Sequence, residues 1–172
     1  MGQVMQAGDI GFAHSDGIIG KAIRLGEAMR GSKNDARWNH AFVLYKMTDD
    51  GTDWYIIQAE AKGVTCDKLL SQVAGLTGHY EIIPLDSRTD RASLLSFAHS
   101  QVGSKYGYVS IASCVFDILL PDSICLRKSG TWICSGLVMA ALTYGTTPGI
   151  SEYVKKDIYT TTPAEAYHFL TC

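Results

Sequence analysis

Charge of one sign is scarce in this chain of 172 residues: 15 Lys and Arg stand against 17 Asp and Glu, a formal net charge of −2. A protein that grips nucleic acid by neutralising phosphates concentrates positive charge, so no nucleic-acid partner is expected. Proline is scarce too, with only 4 residues. There is no Pro- or Ser-rich linker, no low-complexity tract and no internal repeat. With 47% apolar residues, disorder and collagen are excluded, and a chain of this length buries roughly 70% of its unfolded surface without staples. One globular domain spanning 1–172 is expected.

Long apolar runs are also missing. The longest, Ile111 to Leu120, carries Asp117 in its middle and falls far short of the roughly 20 residues that cross a bilayer. No transmembrane segment is expected. The opening MGQVMQAGDIGFAH lacks a basic stretch followed by an apolar one, the pattern of a secretory signal. Gln6 replaces the Ser or Thr that myristoylation at Gly2 would need. The expectation is a chain that is cytoplasmic as synthesised, or one carried with a virion.

The five cysteines, at 66, 114, 125, 134 and 172, include no Cys-x-x-Cys pair. That spacing excludes a zinc ribbon and a disulfide lattice, leaving reduced thiols that behave mostly as small hydrophobes. His14, His79, His99 and His168 are scattered without ligand spacing; neither a metal nor a cofactor is expected. Gly17-Ile18-Ile19-Gly20-Lys21-Ala22 is not a phosphate loop, because Ser15 occupies the first-glycine slot and Ala22 the Ser/Thr slot. Lys21, Arg24, Arg30, Lys33 and Arg37 make a locally basic stretch, readable as a solvated face or as a surface for an anionic substrate or partner.

Periodicity organises the rest. Gly8 to Phe12 reads as a short strand and Gly17 to Arg30 as an amphipathic helix followed by a polar loop. Trp38 to Met47 and Asp53 to Ala61 flank the turn Asp49-Asp50-Gly51-Thr52 as an antiparallel hairpin. Cys66 to Gly75 reads as a short helix and His79 to Leu85 as a strand. Ser87 to Asp90 resembles a capping box for a helix ending at Gly103. Residues 107–120 read as helical, 121–131 as loop and 134–144 as a helix stopped by Gly145. That last helix is apolar nearly all round and should be central. The order gives an α+β fold, helices packed on one antiparallel sheet.

Thr131-Trp132-Ile133-Cys134-Ser135-Gly136 places a cysteine at the start of this buried helix. Helix-start amides and the positive dipole end favour thiolate, which makes Cys134 a candidate nucleophile. His40 begins a strand, sharing a face with Phe42 and Leu44. On the neighbouring strand Ile56, Gln58 and Glu60 share a face, so Gln58 or Glu60 could hold the second ring nitrogen of His40. A core cysteine and a structural histidine are the alternatives.

His40-x-x-Val43-Leu44, the strand through Gln58-Ala59-Glu60 to Val64, Gly103-Ser104-Lys105-Tyr106 and Cys134-Ser135-Gly136-Leu137-Val138, opened by Gly8-Asp9-Ile10, resemble the circularly permuted branch of the NlpC-type papain-like cysteine hydrolases (the YiiX-like and lecithin retinol acyltransferase-like branch). The resemblance runs from about residue 8 to 145. It implies a permuted papain-like fold with Cys134 as nucleophile at the central helix N-terminus, His40 as base and then acid, and Gln58 as orienter, with Glu60 the alternative. Tyr106 is implied as a residue lining the active site, and the backbone N–H of Cys134 as part of the oxyanion hole. Ile133 stands where the non-permuted peptidases usually have Asp, and no Trp-Gly pair follows Tyr106. The implied activity is peptidase or amidase action through an acyl-enzyme, on peptide amide bonds of peptidoglycan. Acyl transfer or lipid-amide hydrolysis is the alternative within the branch, and an idle module of a phage assembly the non-enzymatic one.

Overall fold

The computed structural model describes residues 4–14, 37–77, 79–107, 130–153, 158 and 161–172. The helix expected over 17–30, the one expected over 107–120 apart from its first residue, the loop expected over 121–131 apart from its last two residues, and Cys114 and Cys125 lie outside these residues. A five-stranded antiparallel sheet runs β4-β3-β2-β1-β5, from β1 (Ile10–Ala13), β2 (His40–Met47), β3 (Trp54–Glu60), β4 (Gly63–Leu69) and β5 (Tyr80–Ile83). Helices α1 (Leu70–Thr77), α2 (Arg91–Ser100), α3 (Cys134–Tyr144), α4 (Ile150–Tyr153) and α5 (Pro163–Thr171) accompany it, with a short parallel pair β6 (Lys105–Tyr106) and β7 (Thr131–Trp132). The α+β expectation matches this architecture.

The β2–β3 hairpin closes where its sequence predicts. Asp50 accepts from the Thr48 hydroxyl at 2.5 Å and from the Thr52 amide at 3.1 Å, and Gly51 takes a positive φ of 70°, so the Asx side chain and the glycine each supply what the turn needs. Alternation then sorts side chains between two cores. Ile10, Phe12, Ala41, Val43, Ile57 and Ala59 pack with α2, α3 and α5, while Ala13, Phe42, Leu44, Trp54 and Ile56 pack with Leu70 and Val73 of α1. Gly11 is required for the second arrangement: a Cβ there would lie 2.0 Å from the Phe42 ring.

Three expectations need correction. Residues 66–69 belong to strand β4 rather than to a helix, and the helix begins at Leu70. Pairing with β3 overrides the weak local signal of Gly63-Val-Thr-Cys-Asp-Lys-Leu69, and Asp67 and Lys68 suit an edge strand. Asp90 alone caps α2, accepting from Ser93 N at 3.1 Å, and the helix stops at Ser100. The capping box sits instead at α5, where Thr162 and Glu165 cap each other. Thr131, expected at the end of a loop, instead joins Trp132 in β7, paired with Lys105 and Tyr106.

One buried charge ties these parts together. Asp9 is 1% exposed and receives Arg91 Nη1 at 2.8 Å, Leu85 N at 3.2 Å and Gln6 N at 2.8 Å. The same guanidinium donates to the carbonyls of Ala7 and Leu85, so β1, the exit of β5 and the start of α2 share one network. Arg91→Met strands the carboxylate and is expected to cost about 3 kcal/mol. Urea unfolding measures this as a lower midpoint at unchanged slope.

Candidate active site

Helix α3 brings the first functional group. Every residue from Cys134 to Leu142 is buried, and the N-cap position is Ile133, extended at φ −95° and ψ 159°, with no side-chain cap. An Ile side chain cannot accept a hydrogen bond, and of the orphan first-turn amides that of Ser135 is directed to the Cys134 sulfur instead. Ser135 anchors that turn by donating its buried hydroxyl to Thr161 O at 2.5 Å.

Strand β2 brings the second. His40 is its first residue, at the end of the sheet where the β2–β3 ladder has not yet begun, and its ring interacts with the Cys134 thiol, each displacing the other's titration. The other ring nitrogen, Nε2, lies 2.7 Å from Gln58 Oε1. An amide oxygen only accepts, so Nε2 carries a proton and Nδ1 is left to face the sulfur. Gln58 is opposite Phe42 in the register, which makes its contact with His40 a cross-strand diagonal. The 2% exposed Gln58 is therefore a buried polar residue with its oxygen committed to the imidazole.

Glu60, of the same parity as Gln58, goes elsewhere: it pairs with Lys68 Nζ on β4 at 2.7 Å. Of the two candidates for the His40 partner, the structure brings Gln58 to the ring and leaves Glu60 as a more distant charge. Lys68 was not among the residues singled out from sequence, because β4 was not recognised as a strand. Tyr106 is half-buried on β6, opposite Trp132, two residues ahead of Cys134. Its segment is seated by Val64 N on Ser104 O and Gly103 N on Val64 O, both at 2.9 Å. Gly63, at φ +115°, permits this approach, since a Cβ would come 2.5 Å from the Ser104 oxygen.

The electrostatics follow from the contacts. Burial pushes the Cys134 thiol up, but the His40 ring and the amides of Ala41 and Ser135 outweigh it and bring its pKa below the ordinary thiol value. Burial likewise pushes His40 down, while Cys134, the Gln58 oxygen and the Glu60 charge together raise it above the ordinary imidazole value. Each shift favours a thiolate beside an imidazolium. Cys66 behaves in the opposite way: burial raises it, with Lys46 opposing and Asp67 adding to the rise. Of the other residues noted in the sequence, Arg37 pairs with Glu81 at 3.2 Å and Tyr167 OH at 2.6 Å, and His14 donates to Arg37 O.

No family model and no curated protein matches this chain. Among solved structures, the crystal structure of the metalloprotein yiiX from Escherichia coli O157:H7, DUF1105, aligns with a TM-score of 0.60 over 94% of this chain and 91% of that one, at 18% sequence identity. The fold is similar to that of yiiX. At that identity the likeness to yiiX carries architecture alone. Metal binding is said of yiiX: among the described residues here, no three His, Cys, Asp or Glu side chains converge, and the group beside Cys134 and His40 is a neutral amide. No helix of the described residues is long and apolar enough to cross a membrane.

The paired shifts predict selective chemistry. Iodoacetamide is expected to alkylate Cys134 faster than Cys66 at neutral pH, because only thiolate reacts. His40→Ala removes the cation that lowers the thiol pKa, so the rising limb of the pH–rate profile should move at least about one unit upward. Peptide mapping by mass spectrometry as a function of pH measures both.

Proposed function

We propose that this chain is a cysteine hydrolase of the permuted papain-like kind, acting on amide bonds through an acyl-enzyme on Cys134. The observation that carries the reading is the contact of Cys134, at the uncapped start of α3, with a His40 ring whose far nitrogen sits 2.7 Å from Gln58 Oε1. Nucleophile, base and orienter are then in the relation that thiol hydrolysis requires.

In the reaction, the thiol proton resides on His40 Nδ1 and the thiolate attacks the substrate carbonyl carbon. The oxyanion that develops is met by helix-start N–H groups, that of Cys134 among them. Collapse breaks the C–N bond, and His40 gives its proton to the departing amine. Water, deprotonated by the now neutral His40, attacks the thioester, and the acid product leaves as the thiol re-forms. Gln58 keeps the ring in the tautomer that both halves use. Tyr106 is proposed to line the substrate side, and the substrate class is peptide amides of peptidoglycan, the class that the family resemblance implies.

Cys134→Ala should lower turnover of peptidoglycan fragments at least about a thousandfold. Circular dichroism should show the fold retained. A slow thioester or activated amide should leave a mass increment on Cys134 in the wild type and none in the variant. Undiminished hydrolysis by Cys134→Ala would overturn the assignment.

A further inference from the structure

Two polar atoms beside the dyad are unaccounted for. Gln58 Nε2 and Thr65 Oγ1 are both buried and neither has a hydrogen-bond partner. They belong to residues directly opposite one another, Gln58 on β3 and Thr65 on β4, immediately after the register shift between Ile56 and Gln58. Directly opposed side chains in an antiparallel pair lie on one face with Cβ atoms about 5 Å apart. The donor left over on the amide therefore adjoins a hydroxyl that can accept it.

We propose that Thr65 is a positioning residue that acts through Gln58: its hydroxyl accepts a carboxamide N–H, directly after rotation about χ1 or across one water, and holds the amide oxygen toward His40. The inference rests on the reading of Cys134 and His40 as a catalytic pair. A primary amide has one acceptor end and one donor end of nearly equal shape. Only the acceptor end suits a protonated Nε2, and only that ring tautomer leaves Nδ1 free to take the thiol proton. An orphaned buried N–H costs free energy that is relieved if the amide turns end for end or swings away. Either motion releases His40. Thr65 removes that incentive, and so contributes to catalysis without touching substrate.

The charged alternatives around Gln58 do not perform this task. Glu60 is engaged by Lys68 at 2.7 Å, and Cys66, the next residue along β4, packs against the core on the other face of the sheet. Thr65 supplies the hydroxyl opposite the unpartnered amide end.

The test is Thr65→Val, which exchanges the hydroxyl for a methyl group at constant shape in a residue that favours strands, with Thr65→Ser as the conservative restoration. The rate of Cys134 alkylation by iodoacetamide is followed from acid to neutral pH in all three proteins, with urea midpoints as the measure of folding. In Thr65→Val the rising limb should move to higher pH, slowing alkylation about three- to tenfold on the acid side, as expected for loss of one buried hydrogen bond. Thr65→Ser should retain the wild-type limb, although its urea midpoint falls through the lost methyl group. A purely structural role would move the urea midpoint and leave the limb in place. Superimposed profiles for wild type and Thr65→Val would overturn the role of Thr65 while Cys134 stays selectively reactive. If wild-type Cys134 itself reacted no faster than Cys66, the hydrolase reading would fall and this inference with it.

Discussion

Helix α3 is buried from Cys134 to Leu142, and a buried helix cannot leave its first-turn amides to water. A Ser, Thr or Asp at the N-cap would normally accept from them. Ile133 stands there instead, and the Cys134 sulfur takes that role toward the Ser135 amide, which it does best as thiolate. The amide of Ser135 lowers the thiol in this way, and Ala41 of β2 adds another. An apolar residue at the cap thus has an electrostatic consequence at the next position. The positive charge that balances the thiolate must come from outside the helix, and β2 delivers it as His40.

What holds helix and strand in register lies away from the reacting atoms. Trp132, in β7, donates Nε1 to Gln101 Oε1 at 2.9 Å and meets Phe97 edge-on at 5.8 Å. Phe97 in turn stacks on Tyr144 at 4.1 Å, at the far end of α3. The two ends of α3 are therefore both tied to α2, and α2 is tied through Arg91 to Asp9 on the approach to β1. Since β1 pairs with β2 by setting Ala13 opposite His40, the chain of contacts runs from the helix of Cys134 back to the strand of His40. Rotation or sliding of α3 would have to break an aromatic stack, a buried ion pair or a ladder bond.

Much of this was legible because it obeys local rules. The apolar run at 134–144, the turn at Asp49 to Thr52 and the alternation of β2 and β3 fix where Cys134, His40 and Gln58 sit on their own elements. Alternation also left Gln58 and Glu60 equivalent. The choice between them depends on Lys68, and Lys68 belongs to a strand whose seven residues include Gly, Asp and Lys and whose identity comes from pairing with β3. The parallel pair β6–β7 is of the same kind, two residues on each side joined across a long separation in sequence. No periodicity announces a two-residue strand. The box-like cap at Thr162 and Glu165 is present in the sequence as Thr-Pro-Ala-Glu and follows the ordinary helix-start pattern.

A neutral amide beside His40 suits the charge balance of a buried site. With Glu60 compensated by Lys68, the shifts at Cys134 and His40 favour one thiolate beside one imidazolium, a matched pair that tolerates desolvation only because each ion has the other. A carboxylate in the place of Gln58 would add a third buried charge. It would hold the imidazolium more tightly, but in the proposed hydrolysis the departing amine needs the proton from that same ring, and a base made too strong is a poor acid when the C–N bond breaks. An amide oxygen at 2.7 Å directs the ring without supplying a full charge, so His40 can both take and release the proton. The cost is that an amide has a second end. A carboxylate would accept at both oxygens, whereas Gln58 brings an N–H into the interior, and that donor makes the hydroxyl across the strand matter.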